Sequence, residues 1–214
     1  MKDIEIENIW KSNDQKLDEI LSLNKEIVYD LTKEKARKTI GTMRKPKRAM
    51  LIIGIPYTIF LYLITFIGFK AGAIFVTLGF GLISLIMTAI SIGYFYHLHL
   101  INSISRLQEI VDVQKKIAEL KISSFNIARL ALVQIPFWSI CWLSLDTLKK
   151  SPMLYGGVNL IVFLALAYFS YWLYKGLDLK NSNSKIGRLF LSGAEWEPII
   201  KASEILDQLK DYKK

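Results

Sequence analysis

Two patterns alternate along this chain. In the first, charge disappears: residues 50–69, 71–105 and 151–174 contain no Asp, Glu, Lys or Arg. An apolar run of this length reads as a membrane-spanning helix, because ~20 residues rising ~1.5 Å each cross a hydrocarbon core of about 30 Å. These runs predict spans at about residues 50–69, 73–97 and 153–174. A less uniform run at about 122–145 predicts a further span, third in order, with Arg129, Gln134 and Pro136 inside it. Arg129 lies about two turns from its start, so the guanidinium can reach back to the interface. Pro136 removes one backbone hydrogen bond and predicts a kink. Trp138 and Trp142 suit one headgroup level, and Tyr168, Tyr171, Trp172 and Tyr174 the other.

The second pattern is a helical stripe. Leu17, Leu21, Asn24, Val28 and Leu31 recur at steps of 4, 3, 4 and 3, with Ile20 and Ile27 widening the face. The spacing predicts a helix from about residue 13 to 38, opened by a capping box of Ser12 and Gln15. Its stripe is expected to pack on the protein's own helices, or else to dock a separate partner or lie on lipid. Ile110, Val113, Ile117 and Leu120 form a similar stripe, predicting a helix over about 101–121 that continues the second span and leads into the third. Trp196, Ile199, Ala202, Leu206 and Leu209 predict one more near the end, with Ser192 and Glu195 at capping-box spacing and a polar stretch at 180–184 before it.

Short connections sharpen the arrangement. Lys70 and Gly72 mark a tight turn, so the first two spans must be antiparallel neighbours. Gly79, Gly81 and Gly93 permit close helix contact in the second span, although they lack GxxxG spacing. Gly41 and Pro46 predict a bend before the first span. The fold class expected is all-α: a four-transmembrane-helix bundle with amphipathic helices at the N-terminus, between spans two and three, and at the C-terminus. Its sections are residues 1–48, 49–174 and 175–214.

Charge orients this bundle. Residues 33–48 carry eight Lys or Arg and one acid, Glu34. Counted beside the proposed spans, seventeen Lys or Arg fall on the side holding both termini and three, Lys70, Lys149 and Lys150, on the other. The positive-inside rule places both termini and the central amphipathic helix in the cytoplasm. The three stripes then share one compartment, where they are expected to pack on one another or on those of a second copy. The net charge of +9 is thereby assigned to topology and anionic lipid rather than to nucleic acid, for which no motif is present. The 52 % hydrophobic content alone would not decide between membrane and soluble classes. The first 49 residues are polar, so no cleaved secretory signal is expected.

Candidate chemistry is sparse. His97 and His99 are two residues apart and point about 200° apart on a helix, which does not suit a shared metal. Cys141 is the single cysteine and sits in an apolar run, so neither an internal disulfide nor a CxxC site is available. No carboxylate lies in the middle of a span, where coupled transport usually needs one. Arg129, Gln134 and Asn159 are read as interhelical hydrogen-bonding groups. There is no Walker loop, GxGxxG, HExxH or GxSxG. No cofactor, metal or catalytic residue is expected.

Several short segments carry a resemblance: Ile9-Trp10-Lys11-Ser12, Asp14-Gln15-Lys16-Leu17 and Leu21-Ser22-Leu23-Asn24-Lys25-Glu26, then Gln134-Ile135-Pro136-Phe137 and Leu191-Ser192-Gly193-Ala194-Glu195-Trp196. Over nearly its whole length the chain resembles an uncharacterised family of small bacterial multi-pass membrane proteins. The resemblance implies an inner-membrane protein of no assigned activity, associated with extracytoplasmic-function sigma factors as an anti-sigma partner. The chain departs from the zinc anti-sigma pattern, having no His-x-x-x-Cys-x-x-Cys. The expectation is a non-enzymatic inner-membrane protein that presents cytoplasmic helices to a protein partner in a regulatory role, through Leu17, Leu21, Asn24, Val28 and Leu31. The alternative is a small transporter or channel component acting as an oligomer. The partners expected are the bilayer, a cytoplasmic protein and a second copy of the chain, and no nucleic acid.

Overall fold

A computed structural model describes residues 2–107, 109–177, 193 and 196–211, with side chains described except at 2–9, 11, 12 and 208–211. Every regular element among the described residues is helical. In order these are α1 (Lys2–Gly41), α2 (Arg44–Lys70), α3 (Ile74–Ile104), α4 (Ile110–Val133), α5 (Phe137–Ile140) and α6 (Leu145–Lys150), then a π-helical turn (Pro152–Gly156), α7 (Gly157–Gly176) and α8 (Glu197–Asp211). The polar stretch at 180–184 and the Ser192–Glu195 pair lie outside the described residues.

Three stretches are long and apolar enough to cross a membrane: the part of Asn13–Lys70 that forms α2, then Ile74–Ile104 and Pro152–Gly176. The chain does little to cover them. Only 17 %, 22 % and 6 % of their most apolar windows are buried. Ile52, Ile53, Phe60, Ile67, Leu85, Ile92, Ile161 and Leu164 all face outward. In water each such side chain forfeits about 1.5–3 kcal/mol of burial, whereas lipid tails solvate it.

α2 and α3 form the expected antiparallel hairpin, and the turn is built by its glycine. Gly72 has φ +69°, a left-handed conformation that side chains resist. It lets the Ala73 N–H donate to the Gly68 carbonyl (2.9 Å) and the Gly72 N–H to that of Phe69 (3.2 Å), so α2 ends in a Schellman motif.

From its first turns, α4 runs antiparallel along α3. Glu119 accepts from Tyr96, His97 meets Ser123, Ile127 lies over Gly93, and Trp138 and Cys141 reach Phe80 and Gly79. This path follows the predicted third span, but not as one kinked helix over 122–145. α4 is continuous from Ile110 to Val133, so the predicted helix at 101–121 does not exist as a unit: α3 continues to Ile104 and the chain turns at 105–109. After Val133 the helix breaks. Pro136 has no N–H to give the Leu132 carbonyl four residues earlier. Instead the Ile135 N–H reaches that carbonyl at 3.1 Å, and the buried Ser170 hydroxyl of α7 donates to it at 2.7 Å. The bonds at Phe137, Trp138 and Ser139 are likewise of the tighter three-residue type. Ser170→Ala should therefore cost about 0.5–1.5 kcal/mol, the net worth of one hydrogen bond, read as a lower unfolding temperature in detergent. An unchanged temperature would show that the carbonyl needs no second donor.

Two cores result. Near the hairpin turn, Leu61, Ile83 and Cys141 pack with Tyr57, Phe80, Met87, Phe137 and Trp138. At the other end Ala36, Ile40 and Met43 of the first helix and its junction join Leu100, Ile101 and Ile104 of α3. With them lie Ile110, Val113, Ile117 and Leu120 of α4, and Trp196, Ile199, Ala202 and Leu206. The stripes read on α4 and α8 are thus buried faces of one shared core. Leu209 lies among the side chains left undescribed.

α1 differs most from its expected form. It begins at Lys2 and runs on past Lys38, so Ser12 lies inside the helix and does not cap it. No Gly or Pro interrupts residues 2–40, and nothing local stops the helix from extending upstream of the capping pair. Only Thr42 and Met43 separate it from α2, and Pro46 falls in the first turn of α2, where a missing N–H is tolerated.

Candidate partner-binding surface

α1 uses its two faces differently. Ala36, Ile40 and Met43 are buried and Tyr29 packs against the same core. Leu17, Leu21, Val28 and Leu31 are 58, 49, 41 and 65 % exposed, and Asn24 is exposed with them. Ile20, Leu23, Ile27 and Trp10 are exposed as well. The stripe predicted to pack on the protein's own helices does not do so. At ~100° per residue, Ala36 and Ile40 lie about 140° and 180° around the helix from Leu31. Binding α8 and α3 through that face turns the stripe outward. The period of the inner face is hidden in sequence, because Lys33, Lys35, Arg37 and Lys38 interleave its apolar positions.

Below this arm, basic side chains are used structurally. The Arg44 guanidinium donates to the Ser105 hydroxyl at 2.5 Å, tying the start of α2 to the end of α3. Lys47 is only 2 % exposed, and its ammonium sits 4.5 Å from the centroid of the Tyr94 ring. Sequence placed Lys47 in a solvated basic run, and only its position one turn inside α2 marks it as different. Arg129 donates from Nε to the Leu177 carbonyl (2.8 Å) and lies 5.1 Å from the Tyr174 ring, capping the end of α7. Its charge is held at the end of an apolar helix, where a cation meets the free carbonyls.

The remaining candidates do not form a reactive site. His97 is fully buried, 3.0 Å through Nε2 from the Ser123 hydroxyl, while His99 is exposed. Cys141 is buried, with its thiol 3.4 Å from the Phe137 carbonyl. Asn159, expected to bond between helices, donates instead to the Tyr155 carbonyl of the preceding turn (2.8 Å), since that acceptor lies four residues earlier on its own helical face. It lines an apolar cleft of about 310 Å³ with Phe75, Ser139, Leu148 and Phe163. Gln134 makes no interhelical bond through its buried Oε1. Glu119 accepts from Lys116 at 2.7 Å and also from Tyr96. Among the described residues no three His, Cys, Asp or Glu side chains are grouped to hold a metal ion.

Comparison with protein-family models, curated proteins and solved structures yields no match.

Proposed function

We propose that this chain is an integral membrane protein without enzymatic activity that holds α1 out as a docking arm for a protein partner, in a regulatory role of the anti-sigma kind. The observation that carries this reading is the outward stripe on a helix whose opposite side is fastened to the body of the protein. An apolar face of this extent in water is a binding surface by default. The bilayer supplies the solvent for α2, α3 and α7. The α4–α5 segment makes a fourth, broken crossing beside α3, with its irregular backbone sheltered by protein. The excess of basic residues beside the spans at the end where α1, α4 and α8 meet supports, by the positive-inside rule, an orientation in a bacterial inner membrane with both termini cytoplasmic.

The test uses the full chain in native membranes. Single cysteines at Thr147 and Ser203 in a Cys141→Ser background should react with a membrane-impermeant reagent from outside at Thr147 only. A photoreactive residue at Leu21 should give a discrete protein adduct, lost when Leu17 and Val28 become Asp. Labelling of Ser203 from outside would refute the orientation, and absence of any adduct would refute the docking role.

A further inference from the structure

Leu17, Asn24 and Leu31 are seven residues apart, and Trp10 extends the same line by seven more. Leu21 and Val28 form a parallel column on one flank, and Ile20 and Ile27 form another on the opposite flank, again seven apart. A seven-residue repeat keeps its seam straight only when helices wind around each other with a left-handed twist. Lys35 and Lys38 occupy the next positions of the seam, so the repeat stops where α1 turns its other face to the protein core. The seam from Trp10 to Leu31 is ~32 Å long, and each of its apolar members is exposed.

We propose that α1 pairs along this seam with α1 of a second copy of the chain, parallel and in register. The proposal rests on the docking-arm reading and names its partner. Asn24 carries the choice of occupant. It lies on the central line, so any helix that covers the seam must answer a buried amide at that level. A parallel, in-register copy places a second Asn24 there by symmetry, and a single Asn within a seam is a known device for fixing register. Direction and level are also imposed from below. Asn13–Lys70 is a 58-residue helical stretch broken only at Thr42 and Met43. Two copies in one membrane therefore begin their arms at the same depth and pointing the same way. The inner face of α1 remains on α8 and α3 throughout, so pairing requires no rearrangement of either copy.

The experiment is disulfide trapping of the full chain in native membranes, in a Cys141→Ser background with a mild oxidant. Leu17→Cys, Asn24→Cys and Leu31→Cys should each yield a covalent dimer, at least tenfold more than Ser22→Cys, which points about 200° away from Asn24. Co-expressed Leu17→Cys and Leu31→Cys chains should give no mixed dimer. Equal trapping at Ser22 and Asn24 would mean random collision and overturn the proposal. A mixed Leu17–Leu31 dimer would mean antiparallel pairing and overturn it too. With no disulfide dimer at any of the three positions, a photoadduct from Leu21 to a different protein would overturn the second copy while leaving the docking arm intact. With no dimer and no adduct, both fail. Because the photoreactive chain keeps Cys141, a misfolded Cys141→Ser background cannot mimic that result: an adduct of Leu21 to the same chain would still support pairing.

Discussion

Replacing Trp196 with Ala is expected to loosen α8 from α4 at a cost of about 3–5 kcal/mol, the range for truncating a large buried aromatic. The indole is 7 % exposed and its ring centroid lies 4.5 Å from that of Phe125, tilted by 59°. Such a ring pair contributes about 0.5–1.5 kcal/mol beyond its buried area. While α1 packs on α8 from another side, what would remain to hold α8 on α4 is Ile199, Ala202 and Leu206, with the Gln114 side-chain amide donating to the Leu206 carbonyl at 3.3 Å. These are smaller groups on a helix of 15 residues, too short to hold its shape in isolation. Hydrogen exchange in detergent should show amides of α8 losing protection while the α2–α3 hairpin keeps its own. Unaltered protection of α8 would mean that Trp196 is not its anchor.

Gly79→Val should cost about 1–3 kcal/mol or more and should act at the other end of the molecule. A Cβ at Gly79 would lie 2.6 Å from the Cys141 sulfur, 3.0 Å from the Cys141 backbone nitrogen and 3.1 Å from its Cα. Side chains can move aside, but backbone cannot without displacing α5. Adding Cys141→Ala removes the sulfur clash alone, so the double variant should recover only part of the loss. Unfolding temperature of the detergent-solubilised protein separates the cases. Full recovery by Cys141→Ala would show that the backbone approach is unimportant. Gly93 offers the contrast. There the clash is with Cδ1 and Cγ1 of the Ile127 side chain and with no backbone atom, so Gly93→Ala should be the milder change.

Much of this architecture was legible in the sequence, for reasons that can be named. The uncharged runs located α2, α3 and α7, because length and apolarity are local properties. The faces of α4 and α8 were legible because Ile110, Val113, Ile117 and Leu120, like Trp196, Ile199, Ala202 and Leu206, keep helical spacing without interruption. The turn at Gly72 was legible in place but not in form. Other features depend on groups distant in the chain. Nothing near Ser170 reveals that it compensates for a proline on another helix. Lys47 looks like its basic neighbours until Tyr94 is placed over it. The five stripe residues of the candidate surface were identifiable by period, yet their outward direction depends on Ala36 and Ile40, whose rhythm the intervening lysines disguise. The extent of the break after Val133 was also hidden, because a single proline predicts a bend and does not say that the following turns will tighten.

That break limits what the bundle can do. The chain between α4 and α6 has few of the internal bonds that make a regular helix self-sufficient in oil. Its carbonyls are answered partly by a neighbour's hydroxyl and by close three-residue links. Drawing α7 away from α4 would leave the Leu132 oxygen with one donor fewer. The placement of α7 and the local shape of the chain after Val133 are therefore set together.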